Sequence, residues 1–458
     1  MYKKYYEGEK KHFDFYAYSI PGCETGDYVV GQDVEGSFRT VERFKEYRDV
    51  GFNMLMSGCV GTYYGEDWQT SMCKKVMDIA YEAGIEKYIV GDQAFYELSC
   101  VKDGIIGEGK KFASEKELDE FVANRIKDYS KHPVFYGIYL KDEPHYYLFK
   151  SFGQICRSIK RVRPETFVYC NLLPLDTLRW MDERYPKGGD LMERRTKYLN
   201  LYLDETGLDY IKYDDYPFCY NKDNKIYYIT CLQNAAEVCR DRGVELQFVA
   251  QSFSMKIGKF DYYWTPNEQE MRYQLNLLLG FGVRQLSFFT YMPHGANSTE
   301  WFYDDGAMLT RAGERTPLYY ITQKLIKEMQ EIMPVVTEFE YRHSAYAVKT
   351  FNSYLKQLDF AKNEKLINVE EFDTDREGVL INELYDKKND QYLYCITNMT
   401  EIRCEAEQGA VQTTTVQFDK KFTHADVFAN GKWSKLELNG GELAVKLAVG
   451  ETAYVLIY

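Results

Sequence analysis

Residues 136–147 read YGIYLKDEPHYY, an apolar run that ends on adjacent carboxylates, Asp142 and Glu143, before Pro144 stops it. A second acidic pair, Asp214 and Asp215, ends the run LDYIKYDDY that begins at Leu208. Two carboxyl groups facing one another can divide the cleavage of an acetal: one protonates the leaving oxygen, the other serves as nucleophile or base. Glu143 suits the acid's role, because a dry strand and negative neighbours would both push its pKa towards neutrality. Asp214 is the leading second carboxylate, with Asp215 as fallback. The plainer alternative for Glu143 is a surface ion pair with Lys141.

These acids need a frame that brings strand ends together. Up to about residue 335 the chain repeats one theme eight times: a short apolar strand, a polar loop, an amphipathic helix. The strands are HFDFYAYSI from His12, FNMLMSG from Phe52, KYIVGDQ from Lys87 and VFYGIYLKDE from Val134. TFVYCNLL from Thr166, LDYIKYDDY from Leu208, VELQFVAQS from Val244 and VRQLSFFTY from Val283 follow. Helices start at Ser114-Glu115-Lys116-Glu117, a capping box, and at Thr265-Pro266-Asn267-Glu268, with proline expected at the first helical position. Several end on glycine, as at Gly51, Gly84 and Gly243. Eight such units predict an α/β fold, a (β/α)8 TIM barrel over residues 1–338. Beyond it, short alternating segments with turns at Asn430-Gly431 and Asn439-Gly440-Gly441 predict a C-terminal antiparallel β-sandwich over 339–458.

Side chains on a strand alternate, so polar residues in apolar strands mark the inner face. By that parity Gly137, Tyr139, Lys141 and Glu143 share the inner face of the fourth strand, and Tyr210, Lys212 and Asp214 that of the sixth. Asn53, Ser57, Asp92, Gln251, Gln285 and Ser287 are placed inside on other strands. Asp92, Glu143, Asp214 and Gln251 are therefore expected to converge at the C-terminal mouth, where barrel active sites sit. Asp142 and Asp215 stand at the rim. The bland alternative is a polar plug that satisfies its own hydrogen bonds.

A glutamate ending the fourth strand of such a barrel, followed by a sandwich, resembles the large glycoside hydrolase clan A, which contains the family 42 β-galactosidases. More narrowly the chain resembles uncharacterised bacterial members with DEP at the fourth strand. The resemblance rests on Asp142-Glu143-Pro144, on Tyr213-Asp214-Asp215-Tyr216-Pro217, and on aromatics after the eighth strand such as Tyr291 and Trp301. It implies that Glu143 is the acid/base. The chain departs from the clan in two places. Asp142 stands where the clan has asparagine, and Gln251 where it has a nucleophilic glutamate. Three solutions stay open: a second carboxylate on the sixth strand, with the longer spacing of an inverting enzyme; a nucleophile supplied by the substrate; or a glycan-binding pseudoenzyme. In the second case Asp142-Glu143 is similar to family 20 hexosaminidases, with Asp142 orienting a 2-acetamido group.

Asp142, Asp92 and Gln251 are read as substrate positioners. His145 and His294 are read as hydroxyl partners, and Tyr216, Trp264, Tyr291 and Trp301 as ring walls, with Tyr63, Tyr64, Tyr146, Tyr147 and Phe253 around them. The 42 tyrosines and 27 phenylalanines of the chain suit either a ring-lined cleft or ordinary core filling. Lys212 would serve an aldolase Schiff base, but a lysine flanked by carboxylates is more often an ion-paired positioner. Histidines 12, 132, 145 and 294 are scattered, so no metal is expected, and no cofactor. A net charge of −13 argues against nucleic acid and anionic membranes as partners; a carbohydrate substrate fits, and self-association is left open. Eleven unpaired-looking cysteines and an N-terminus without an apolar h-region point to a reducing cytoplasm. The sum is a cytoplasmic glycoside hydrolase acting on a small oligosaccharide or glycoside.

Overall fold

The computed structural model describes residues 2–7, 13–19, 21, 38–56, 63–174, 186–220, 222–293, 301–304, 306–348, 366–376, 378–400 and 411–458. The strands of the first half are β1 (Asp14–Ala17), β2 (Met54–Met56), β3 (Lys87–Gly91), β4 (Phe135–Asp142), β5 (Phe167–Asn171) and β6 (Tyr210–Asp214). They continue as β7 (Glu245–Gln251), β8 (Met255–Ile257), β9 (Phe260–Tyr263), β10 (Val283–Phe289) and β11 (Trp301–Tyr303). Between and after them run α1 (Val41–Asp49), α2 (Met72–Glu82), α3 (Gln93–Ser99), α4 (Glu115–Ile126) and α5 (Phe149–Val162). The remaining helices are α6 (Leu191–Thr206), α7 (Lys222–Arg242), α8 (Glu268–Gly280) and α9 (Pro317–Val336).

Eight of these strands are parallel and form two four-stranded sheets, ordered β2-β3-β4-β5 and β1-β10-β7-β6. Each proposed strand segment thus contains one parallel strand, the eighth being β10. Hydrogen bonds cross both seams. Asn53 N–H donates to the Phe15 carbonyl at 3.1 Å, next to the β1–β2 seam, and Leu172 N–H donates to the Lys212 carbonyl at 2.8 Å between β5 and β6. One face of the sheets packs Tyr16, Met54, Met56, Ile89, Tyr139, Tyr169 and Val249 together. The other face carries Phe15, Leu55, Val90, Ile138, Val168, Ile211 and Phe248, which pack with the helices.

Local signals explain the helix starts. Ser114 accepts a hydrogen bond from Glu117 N–H at the head of α4. Asn267 and Glu270 form a reciprocal capping box on α8, which places Asn267 at the cap and Pro266 outside the helix, two positions before the first helical residue where it was expected. Gly84 and Gly243, after α2 and α7, take φ of +79° and +65°, a region closed to most side chains.

The second half holds β12 (Glu340–Val348), β13 (Val369–Thr374), β14 (Gly378–Asp386), β15 (Gln391–Asn398) and β16 (Val411–Phe418). It ends with β17 (His424–Ala429), β18 (Lys432–Glu437), β19 (Glu442–Ala448) and β20 (Thr452–Ile457). These antiparallel strands make a six-stranded sheet, β12-β14-β15-β20-β17-β18, and a three-stranded one, β13-β16-β19. Val379, Ile396 and Val455 from the first meet Val416, Leu443 and Val445 from the second in one apolar cluster. Asn430 and Gly431 turn β17 into β18 with both residues at positive φ, as a two-residue hairpin requires.

The halves share a core. Leu384, Leu393, Tyr454 and Leu456 belong to the same apolar cluster as α8 and α9. Asn276 on α8 donates to the Gly450 carbonyl at 3.1 Å and accepts from the Tyr454 hydroxyl at 3.0 Å. Among the described residues the eight cysteines are free and seven of them are buried, and no helix is long and apolar enough to cross a membrane.

Candidate active site

The decisive local feature is a β-bulge in β4. Tyr139 pairs with Tyr169, but the next pair is Lys141 with Cys170, so Leu140 is an extra residue on the β4 side. A bulge turns every later side chain to the opposite face. Lys141, expected inside, therefore points outward: its Nζ donates to the Tyr96 hydroxyl of α3 at 3.0 Å and lies 4.2 Å from that ring's centroid. Asp142, expected at the rim, pairs with Asn171 and takes the inner face. Glu143 lies one residue past the strand, half-buried, with φ at +44° and its N–H donating to the Asn171 carbonyl at 2.8 Å.

Asn171 was not among the sequence candidates, although it follows Tyr169 at the spacing of an inner-face residue. Its Nδ2 donates to Asp142 Oδ1 at 3.0 Å and to Asp214 Oδ1 at 2.7 Å. The two accepting oxygens therefore stand no further apart than the sum of those bonds. Asp214 is buried, and burial together with the charge of Asp142 pushes its carboxyl up to about 7, against hydrogen bonds from Asn171 and Tyr216 that pull it down. Asp214 is therefore a carboxylic acid that still holds its proton in part near neutrality. The Asp142 side chain, only half-buried, keeps contact with solvent.

Aromatic rings stand beside this pair. Tyr216, which hydrogen-bonds Asp214, packs against Phe253 at 5.0 Å, Tyr263 at 5.7 Å and Phe289 at 6.0 Å between centroids. Phe289 in turn meets Tyr18, whose hydroxyl bonds that of Tyr169. Below, Lys212 Nζ is enclosed between the rings of Tyr16 and Tyr169, and burial drives its pKa well down. The lysine is fully buried.

Several other expected site residues are committed to the fold. Asp92 caps α3, accepts from Ala94 N–H at 3.0 Å and holds Arg125 through both oxygens at 2.9 and 2.8 Å. Gln251 is fully buried: its Oε1 accepts from Phe218 N–H at 2.9 Å, and its Nε2 donates to the Phe218 and Trp264 carbonyls. It clamps the loops after β6 and β9, with both ends of its amide engaged by backbone groups and out of reach of solvent. Asp215 follows Tyr213 on the helix-facing side, close enough to Tyr213 and Tyr228 for its charge to raise both phenols. Tyr291 is core, edge-on to Tyr47 at 5.0 Å. Trp264 gives its indole N–H to Glu270 at 2.9 Å, and His145 packs on Tyr147 at 4.8 Å. Asn53 sits at the N-terminal end of β2, donating to Asp14 at 2.9 Å. Ser57, His12 and His294 lie outside the described residues, as does the side chain of Trp301. Among the described residues no group of three or more His, Cys, Asp or Glu could hold a metal ion.

No family model and no curated protein sequence matches this chain. Solved structures do. A family 27 β-L-arabinopyranosidase from Geobacillus stearothermophilus is similar with a TM-score of 0.51 at 11% identity, over 99% of this chain and 98% of that one. An Anoxybacillus α-amylase is similar with a TM-score of 0.50 at 9% identity, over 97% of each chain. Both are glycoside hydrolases, and at such identities the likeness is one of fold.

Proposed function

We propose that this chain is a retaining glycoside hydrolase, with Asp142 as nucleophile and Asp214 as acid and base. The observation that carries the reading is the pair of carboxyl groups on one Asn171 amide, at 3.0 and 2.7 Å, one of them raised to about 7. Retaining enzymes hold these groups roughly 5–5.5 Å apart, inverting ones roughly 6.5–9.5 Å. A shared donor favours the shorter class.

In the first step an Asp142 oxygen bonds to the anomeric carbon while the bond from that carbon to the leaving oxygen breaks. The leaving oxygen takes the Asp214 proton. Once esterified, Asp142 no longer carries the charge that raises Asp214, whose pKa falls so that it can accept a proton from water. That water displaces Asp142, and the sugar departs with its starting configuration. Tyr216 and Phe289, both half-buried, offer ring faces to a small oligosaccharide or glycoside.

The reading takes the two parallel sheets as halves of a closed (β/α)8 barrel over 1–338, supported by the hydrogen bonds across both seams, with 339–458 as an accessory β-sandwich. The fold shared with two glycoside hydrolases supports it. A second reading keeps Glu143 as the acid and lets Asp142 orient a substrate that supplies its own nucleophile. It is favoured by the left-handed backbone of Glu143, since unfavourable conformations gather at functional sites.

A panel of aryl glycosides, including N-acetylhexosaminides, tests the proposal. The first-formed product, read by NMR, retains its anomeric configuration, and kcat/KM falls as pH rises through about 7. Asp214→Asn loses roughly 10²- to 10⁴-fold on poor leaving groups and far less on a dinitrophenyl glycoside. An inverted first product overturns the mechanism.

A further inference from the structure

A groove of about 480 Å³ runs between the loop 63–69, which leads towards α2, and the end of α4. It shares no lining residue with the ring cluster beside Asp214. Its floor is fixed by Arg125. That guanidinium holds both oxygens of Asp92, donates to the Tyr63 carbonyl at 3.2 Å and lies 4.7 Å from the centre of the Tyr63 ring. Gly65 closes on it with φ at +93°, and a Cβ there would stand 2.1 Å from an Arg125 nitrogen. Only glycine allows that approach.

Trp68 forms part of one wall. It is half-buried, edge-to-face with Tyr63 at 6.3 Å and with His132 at 6.5 Å between centroids. Glu66 and Asp67, beside it, are each set by a loop amide. One oxygen of Glu66 accepts from Tyr64 N–H at 2.7 Å, and one of Asp67 from Gln69 N–H at 3.0 Å. The second oxygen of each carboxylate makes no hydrogen bond among the described residues, and both side chains are exposed. The exposed amides of Gln69 and Asn124 face solvent from the loop and from α4.

We infer that this groove is a second carbohydrate site, which takes a neutral oligosaccharide with one ring stacked on Trp68. An anion would meet Glu66, Asp67 and Asp128; a cation would meet Lys127 and the Arg125 beneath. A neutral polyol suits both sets, because each hydroxyl can donate to a carboxylate or amide oxygen and accept from an N–H. The apolar face of a pyranose matches the indole. The volume falls within the roughly 300–1,000 Å³ of small-molecule sites. The inference stands apart from the hydrolase reading, since none of these side chains belongs to the acid pair.

Calorimetric titration of maltohexaose, cellohexaose, xylohexaose and mannohexaose tests it. The protein is Asp142→Asn, to prevent turnover, with and without Trp68→Ala. At least one hexaose binds, and its Kd rises roughly tenfold when the indole is removed. Should Trp68→Ala fail to fold, the exposed pair Gln69→Ala with Asn124→Ala carries the comparison, with a Kd roughly three- to tenfold higher. If no hexaose shows binding that depends on these residues, the assignment is overturned. Binding of spermidine that needs Trp68, with no hexaose bound, also overturns it and makes the groove a cation site. On a p-nitrophenyl monosaccharide, Trp68→Ala keeps the wild-type kcat and KM; a loss there means that the groove is not separate from the acid pair. Trp68-dependent binding with no turnover of any glycoside removes the hydrolase and leaves the groove. Turnover with binding indifferent to Trp68 does the reverse.

Discussion

Asp92 and Asp214 both stand at the ends of parallel strands, and both are buried, yet their surroundings are opposite. Asp92 meets a cation. Arg125, the Tyr129 hydroxyl and the Ala94 N–H occupy its oxygens, and these bonds oppose the burial that raises its pKa. Asp214 meets a like charge. Asp142 adds to burial, and the carboxyl rises to about 7. Burial alone therefore does not make a general acid. An arginine converts a strand-end aspartate into a fastener between β3, α3 and α4, whereas a second carboxylate leaves it with a proton to give.

Substitutions that break one side of this contrast should leave the other intact. The largest effect is expected from Asp142→Asn, which removes the proposed nucleophile. kcat on aryl glycosides should fall roughly 10⁴-fold or more, with the circular dichroism spectrum unchanged. A smaller loss places the nucleophile elsewhere.

Next comes the pair of neutral replacements at the two buried acids, read as unfolding free energy against pH. Asp92→Asn should cost about 3 kcal/mol by stranding Arg125, while kcat per folded molecule stays the same. Asp214→Asn should act in the other direction. Its folded-state pKa lies above that of the unfolded chain, so wild type loses stability as pH climbs from about 4 to about 7. The variant escapes that loss, gaining on the order of a few kcal/mol over wild type above pH 7 and little at pH 4. Equal pH slopes would mean that Asp214 titrates normally.

The smallest expected effect is that of Glu143→Gln. If the Asp142–Asp214 pair does the chemistry, kcat changes by less than roughly tenfold. A loss as large as that of Asp214→Asn on poor leaving groups returns the acid's role to Glu143.

The eight strands were legible because each is an apolar run, and several are bounded by a capped helix start or a glycine stop, as at Ser114 and Gly84. The hairpin turn at Asn430-Gly431 was legible for the same reason, since its two residues tolerate positive φ. On the sixth strand the parity argument held for Lys212 and Asp214, which share the inner face, but not for Tyr210, whose hydroxyl meets Tyr202 of α6. It failed on the fourth. Leu140 looks like any other apolar strand residue, and what makes it a bulge is the register against β5, which β4's own sequence does not state. That slip moved Lys141 outward and exchanged Glu143 for Asp142 at the pair. Gln251 and Asp92 were misjudged for a related reason. Polarity at a strand end announces that a side chain needs partners, and only the neighbouring loops and helices tell whether the protein already supplies them.

The bulge at Leu140 also bears on how such a site can change over generations. Because the extra residue lies between Tyr139 and Lys141, an in-frame loss of its codon would restore a regular ladder and still leave Tyr139 and Asp142 on the faces they occupy now. The strand can thus exist in two lengths with one arrangement of acids. Descendants or ancestors lacking the residue would show a one-residue gap in this strand while keeping the same pair of acids.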